Sequence, residues 1–401
     1  MIIATEAAIS APAPGSLTLG LLAPEFRLLC LAVGQPQEFA SFLDVTVDWE
    51  ALAEGALRHR VAPLLLKALA SQTVRESRLN ELREKVLWHA RRCLAWLAQA
   101  DRLVRGLEEA GIPALILKGC PLSLQLYGDP AIRQVGDIDL LVAPGRLWEA
   151  DEVIMRLGYR REVCPDADSV RSLHRNWIKD LSYTDGSWQI ELHHRLTDNP
   201  LLLPCDFDRI WREREHVTCG GLTLPVPSRR FTALYLCVHG ADHGWERLRW
   251  LADIAHLLRD APAQSDLLDD AEAAGLTGVA IPSLQLAHDW LGLPLHDSRL
   301  AIDRQAEGRL RRFASRYSPG SGGGLMARWG RQEWRFGMVL RRHLIRYQLR
   351  TSFSYRFRQV LTDLASPQDW QAFPLPRQLC WLYPLLRPIG WIVRHTGKGF
   401  R

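Results

Sequence analysis

The chain has no C-x-x-C pair, although it carries eight cysteines (Cys30, Cys93, Cys120, Cys164, Cys205, Cys219, Cys237 and Cys380). Their scatter excludes zinc-ribbon spacing and reads as reduced, mostly buried thiols of a cytoplasmic protein. No window reaches the roughly eighteen uninterrupted apolar residues of a transmembrane helix. The nearest stretch, Leu379 to Val393, is broken by Pro384, Arg387 and Pro388. A Walker A loop is missing: Gly322-Gly323-Gly324 lacks the Gly-Lys-Ser/Thr that should follow, and Thr396-Gly397-Lys398-Gly399 follows no strand. The zinc-peptidase helix is missing too, because Gly240 follows His239 where H-E-x-x-H needs glutamate. His239 and His243, four apart on a helix, therefore read as helix-packing or substrate-facing residues, with a zinc site as the alternative. Glu6 stands where a signal peptide needs a basic region, and the first residues read as a loose tail. No repeat and no heptad seam is present.

What remains is ordinary for a globular chain: 401 residues, 47% hydrophobic, 24% charged, net charge +5. That length suits two or three folding units and a sizeable core. The mild positive charge permits an anionic partner without demanding one. Apolar positions recur at three and four from Leu79 to Arg105, and glycine is absent from that run until Gly106. Gly111-Ile112-Pro113 stops the helix and starts a strand over Ala114 to Leu117. A short helix is expected from about Pro121 to Leu126, a turn at Tyr127-Gly128-Asp129-Pro130, and a helix from Arg146 to Leu157. Strands are expected at Tyr159–Val163, Asp180–Thr184 and Gln189–His193, the last two paired across Asp185-Gly186. From Ser228 onward the pattern is helical: 230–243, 250–258, 265–274, 280–291 and 300–317.

The chemistry concentrates in Leu117 to Val142, LKGCPLSLQLYGDPAIRQVGDIDLLV. Asp137 and Asp139 alternate with apolar residues, so they leave one face of a strand together. Paired carboxylates resist ionising together unless a cation lies between them. Hard oxygen donors of this kind suit Mg²⁺. Lys118 can meet a phosphate or pair with Asp129, Asp137 or Asp139. Gly119 lets backbone N–H groups approach a phosphate at the following helix start. Arg133 can brace a triphosphate bidentately or be a surface arginine. Cys120 is a packing residue or a reactive one.

The series LKG, LYGD, Arg133 and GDIDLLV resembles the polymerase-β-like nucleotidyltransferase superfamily. Within it, the series is similar to the bacterial group known as uncharacterised nucleotidyltransferases. The motif resemblance covers roughly Ala114 to Leu196. It implies an α+β fold, a small mixed β-sheet core with helical N-terminal and C-terminal regions. It also implies a third carboxylate on a later strand, for which the candidate is Glu191 in Trp188-Gln189-Ile190-Glu191-Leu192-His193. Two departures stand out: Lys118-Gly119 replaces the usual Gly-Ser pair, and Glu191 replaces the more usual aspartate. His193 shares the face of Glu191, as ligand contact, orienting group or packing residue, while His194 turns away. The Arg249-Trp250-Leu251-Ala252-Asp253 run and the histidine helix are expected to line the cleft.

The organisation expected is a tail over 1–16, a helical region over 17–110, the nucleotidyltransferase core over 111–227, a helical region closing the cleft over 228–317, and a basic helical region over 318–401 after the glycine-rich loop. Arg328 to Arg358 holds nine arginines with interleaved aromatics. It reads as a solvated amphipathic helix, or as a patch for nucleic acid, an anionic membrane face or a long anionic substrate. The resemblance implies transfer of an NMP from an NTP, ATP included, to a hydroxyl or amine of a small molecule, peptide or protein. Pyrophosphate is released, with Mg²⁺ or Mn²⁺ held by Asp137, Asp139 and Glu191. Two metals would clamp the attacking and leaving oxygens, and Lys118, Gly119, Arg133 and His193 would hold the nucleotide. Gene context in the resembled group suggests natural-product or polysaccharide tailoring. The alternatives are a catalytically silent nucleotide-, RNA- or peptide-binding protein on the same fold, or a toxin-like enzyme modifying RNA or protein.

Overall fold

A computed structural model describes residues 22–43, 47–72, 76–162, 171, 175–302, 343–364 and parts of 370–387. The expected tail, the loop at 318–324 and Arg328 to Arg342 lie outside the described residues. The run read as helical from Leu79 forms one helix over Asn80–Glu109. Cys93, Trp96, Leu97, Ala100, Leu103, Val104 and Leu107, spaced at threes and fours, form its buried stripe.

The chain then enters a five-stranded sheet made of β1 (Ala114–Ile116), β2 (Asp137–Val142), β3 (Arg160–Arg161), β4 (Asp180–Thr184) and β5 (Gln189–His193). The spatial order is β1-β2-β5-β4-β3. β2 and β5 run parallel at the centre, and the other pairings are antiparallel. A parallel pair needs a crossover, supplied here by the Leu147–Arg156 helix, β3 and β4. The β4–β5 hairpin forms as expected, with Asp185 Oδ1 accepting from Ser187 N and Trp188 N at 2.8 Å each. β3 is shorter than the strand expected over 159–163, and Val163 lies outside the described residues.

Alternation along the strands separates two cores. Ile138, Leu140, Val142, Ile190 and Leu192 pack with Leu97, Leu103 and Leu107 of the long helix and with Ile154. On the other face, Leu115, Leu117 and Leu141 join a larger core built from helices on both sides of the sheet in sequence. These are Pro24–Gly34, Trp49–Arg58, Ala62–Ser71, Arg229–Asp242, Leu248–Leu257, Ala261–Ala273 and Thr277–Leu291. Phe26 meets Trp290 edge-on, at 5.4 Å between ring centroids. Helices far apart in the chain therefore share one apolar interior above the acidic face of the sheet.

Sequence reasoning assigns no element between 194 and 227. The structure places a helix at Phe207–Arg212 and a ribbon of β6 (Glu215–Cys219) and β7 (Leu222–Val226) there. The ribbon turns on Gly220-Gly221, both at positive φ. A two-residue turn with both φ values positive twists in the sense the flanking strands require, and Gly-Gly between two alternating runs was the legible signal.

The described arginines of the C-terminal region bond to the body of the protein to different degrees. Arg346 is 8% exposed and lies 2.8 Å from Asp242. Arg350 donates to Leu202 O and Ala274 O, and Arg358 stacks 3.7 Å over Trp177. Arg346 is thus taken into internal packing, while Arg350 and Arg358 are half-buried and Arg356 is exposed. Among the described residues no helix is long and apolar enough to cross a membrane.

Candidate active site

β2 and β5 bring the expected carboxylates together through their register. Asp139 stands directly opposite Glu191, and Asp137 opposite Gln189. Directly opposed residues point to the same face, so Asp137, Asp139, Glu191 and His193 share the face under the helical layer. With His193 buried behind them, Asp137, Asp139 and Glu191 open into a cavity of about 340 Å³. Its lining also includes Arg60, Lys118, Gly119, Arg133, Lys179, His239, His243, Glu246, Arg247, Arg249 and Trp250.

The tightest cluster is not the expected acidic trio. Asp139, Glu191 and His193 each bring a donor atom to within 4.8 Å of the other two. Asp137, the first residue of β2, is half-buried at the cavity wall and outside that cluster. His193 Nε2 lies 3.2 Å from Asp139 Oδ1 and 3.2 Å from Glu191 Oε2. Both neighbours are carboxylate oxygens, so Nε2 is the protonated ring nitrogen. Burial and Lys179 oppose a charge on His193, but the bonds to Asp139 and Glu191 and the nearby Asp180 outweigh them and raise its pKa. The ring of His194 turns to the Ile178 carbonyl at 2.9 Å, as the alternation requires.

Lys118 pairs with Asp139 at 3.0 Å, the ion pair foreseen for the protein without ligand. Burial alone would lower the Lys118 pKa, and the Asp139 charge turns the balance upward. For Asp139 burial pulls upward, while Lys118 and His193 hold the carboxyl well below the usual range. An anionic carboxylate paired with an ammonium and hydrogen-bonded to an imidazole is an environment a divalent cation could also satisfy. Two carboxylates and an imidazole within reach of one point fit Mg²⁺, or Mn²⁺ where the imidazole takes part.

Gly119 has φ 88°, and a Cβ there would lie 2.3 Å from the Trp96 ring. Trp96 Nε1 also donates to Asp137 O at 3.1 Å. The long helix thus fixes the Lys-Gly turn and the start of β2 with one side chain. Cys120, 0% exposed just behind this turn, is a packing residue.

Arg133 is 3% exposed, which overturns its reading as a surface arginine. Its Nε is 3.1 Å from both Asp253 carboxylate oxygens, Nη2 is 3.1 Å from Oδ2, and Nη1 donates to Gly119 O at 3.3 Å. Tyr127 OH donates to the same Asp253 at 3.0 Å. With that edge committed to Asp253, bidentate bracing of a triphosphate is open to it only through its cavity-facing side.

His239 and His243 line the cavity with ring centroids 4.6 Å apart, both against Trp250. Burial, then Lys118 and His243, push the His239 pKa well down, so this imidazole is neutral. Neither joins a metal-type cluster among the described residues. The absent glutamate is explained by packing: a Cβ at Gly240 would fall 2.0 Å from the Trp245 ring.

Arg60, Lys179 and Arg247 are cavity residues that sequence reasoning missed. Lys179 precedes β4 and pairs with Asp180 at 3.2 Å, a position the strand pattern could have suggested. Arg60 and Arg247 arrive at helix ends brought together only by tertiary packing. No curated protein matches the chain. The profile of the family described as uncharacterised nucleotidyltransferase matches residues 46–292. That span takes in the sheet, the acidic face and the histidine helix above it, and the chain belongs to this nucleotidyltransferase family.

Proposed function

We propose that the protein moves an NMP group from an NTP, ATP included, to a hydroxyl or amine on a small molecule, peptide or protein, releasing pyrophosphate. The observation that carries this reading is the Asp139–Glu191 register beneath a cationic cavity wall, in a chain of this family. Asp137, Asp139 and Glu191 would hold Mg²⁺ or Mn²⁺, which when bound supplies Lewis-acid stabilisation of charge developing on the phosphate oxygens. The residues supply the rest. Lys118 offers an ammonium that can exchange Asp139 for a phosphate oxygen. Gly119, held by Trp96 and Arg133, keeps the backbone close to the nucleotide. His193 orients Asp139 and Glu191. Glu191, the more exposed of the two carboxylates, would take the acceptor proton. The acceptor atom attacks the α-phosphorus, the bond to the bridging oxygen breaks, and pyrophosphate leaves with that electron pair. Natural-product or polysaccharide tailoring is compatible with such an acceptor. A cytoplasmic setting suits the free thiols Cys30, Cys93, Cys120, Cys205, Cys219 and Cys237.

The test is pyrophosphate release from the four NTPs with Mg²⁺ or Mn²⁺ and cell extract, followed by mass spectrometry for an added nucleotide mass. Wild type is expected to label an acceptor, and Asp137→Ala and Asp139→Ala to label none. The neutralisation of Asp139 by Lys118 and His193 favours one rival reading, a silent nucleotide-binding protein. Nucleotide binding without pyrophosphate release from any acceptor pool would establish that rival.

A further inference from the structure

Arg60 sits at a backbone position that other helices of this protein give to glycine. The Trp49–Arg58 helix ends with Arg60 N donating to Leu57 O at 3.1 Å and Val61 N to Ala56 O at 2.9 Å. That pair of bonds is the Schellman motif, which places the residue after the cap in the left-handed region. The same two bonds recur at Gly111, Gly158 and Gly275, all at positive φ. At Arg60 the φ is 55°. A side chain in this conformation is disfavoured, and backbone strain of this kind gathers at ligand sites.

The guanidinium this arrangement delivers lines the cavity. Among the described residues, Arg60 makes no side-chain hydrogen bond or ion pair. Arg247, on the same wall, only approaches the Trp250 ring at 5.9 Å. Beside them Arg249 spends Nη1 on the Gln134 carbonyl, and its buried Nε has no partner. Burial, Arg133 and Arg60 push the Arg249 pKa down to about 9. Lys118 and Arg133, by contrast, are matched to carboxylates. One wall of the cavity therefore gathers Arg60, Arg247 and Arg249 around a single acidic neighbour, Glu246, with the Asp137 and Asp139 carboxylates across from Arg60.

We propose that Arg60, with Arg247, is the seat of the polyphosphate tail of the nucleotide, the part that leaves as pyrophosphate. This rests on the reading of the site as a nucleotidyltransferase. A single phosphate dianion would be satisfied by one bidentate guanidinium, whereas this wall offers more positive charge than that. The helical region before the sheet thereby supplies a substrate contact, and the left-handed arginine is retained for what it binds.

The experiment measures the Kd of inorganic tripolyphosphate and of inorganic phosphate by titration calorimetry, together with melting temperature and the KM for ATP. It compares wild type, Arg60→Gly, Arg247→Ala and Asp139→Asn. Arg60→Gly is expected to melt about 1–3 °C higher, as relief of a left-handed side chain implies. It is expected to bind tripolyphosphate at least about tenfold more weakly, the loss of one charge-assisted contact. Arg247→Ala should weaken binding without the gain in melting temperature. Tripolyphosphate should bind wild type at least about tenfold more tightly than phosphate. No tripolyphosphate binding by wild type, equal affinity for phosphate, or an unchanged Kd in Arg60→Gly would each overturn the seat. The two readings separate cleanly. Turnover abolished by Asp139→Asn, with an unchanged ATP KM in Arg60→Gly, removes the seat and keeps the transferase. Arg60-dependent tripolyphosphate binding without any turnover does the reverse.

Discussion

The two faces of the five-stranded sheet are built from the same strands and carry opposite tasks. On one face Ile138, Leu140, Ile190 and Leu192 are each 0% exposed and belong to one apolar core. One residue along, Asp137, Asp139 and Glu191 face a cavity, and His193 bonds Asp139 and Glu191 from behind. Period-two alternation makes the dry face a precondition for the wet one. A one-residue slip of β2 would exchange Asp139 with Leu140 and destroy both. The lesson is that the site's precision is drawn from the packing behind it, and that the two should be separable by mutation.

The largest effect expected from breaking this pairing is on turnover. Asp139→Asn keeps the shape of the side chain and removes its charge. Loss of several kcal/mol of charge stabilisation predicts a fall in pyrophosphate release of at least about 10³-fold. The far-ultraviolet circular dichroism spectrum should stay that of wild type. If Asp139→Asn turns over at the wild-type rate, the acidic face is structural only.

A second mutation attacks the join between the faces. Asp253 is 0% exposed and holds Arg133, which in turn holds the Gly119 carbonyl. Asp253→Ala leaves a buried guanidinium without its partner, a change that costs about 3–5 kcal/mol. Denaturant titration should show that loss. Activity at low temperature should fall too, because the Lys118-Gly119 turn loses its brace. Full activity in the folded fraction would detach Arg133 from the site.

The opposite pole is Leu140→Ala, on the dry face directly behind Asp139. A cavity there predicts about 2–5 kcal/mol of lost stability. The kcat of the remaining folded protein should change less than about twofold, since only the far face is emptied. A large kcat loss with little loss of stability would mean that the faces are not separable.

How much of this was legible in the sequence follows the range of the interactions. Asp137, Asp139 and Glu191 could be placed on two strands because alternation is local, and Asp185-Gly186 marks its hairpin within four residues. Their meeting required only that the two strands pair. The Asn80–Glu109 helix was readable for the same reason, from its stripe and its terminal glycine. Arg60, Arg247 and Lys179 were not readable, because no periodicity connects residue 60 to residue 247. His59 makes that connection, accepting from Leu248 N at 3.2 Å through Nδ1, while Arg249 N donates to His59 O at 3.3 Å. Arg133 was visible as a cation, but its partner 120 positions away decided that it would be buried and braced. Gly240 and Gly119 read as absent side chains, and only the structure shows that Trp245 and Trp96 fill the space.

His59 gives the smallest and most specific test of how the helical layer is fastened over the acidic face. Its Nδ1 serves as cap for the Leu248–Leu257 helix, whose own N-cap, Arg247, makes no side-chain bond. An accepting Nδ1 requires the neutral ring in the tautomer protonated at Nε2. Burial, then Arg58 and Arg247, lower the His59 pKa from 6.5 to about 3. A depressed histidine pKa means that below 6.5 the unfolded chain binds a proton that the folded protein refuses. Stability should therefore be fully present above about pH 6.5 and be lost as pH falls toward 3. The slope from this one group is at most about 1.4 kcal/mol per pH unit. Chemical denaturation at a series of pH values, comparing wild type with His59→Asn, isolates the contribution. The asparagine carbonyl can keep the cap but does not titrate, so the variant should show a shallower decline between pH 6.5 and 4. Parallel curves for the two proteins would mean that His59 protonates freely, and that the cap joining the two helix ends is not what holds Arg60 and Arg247 over the carboxylates.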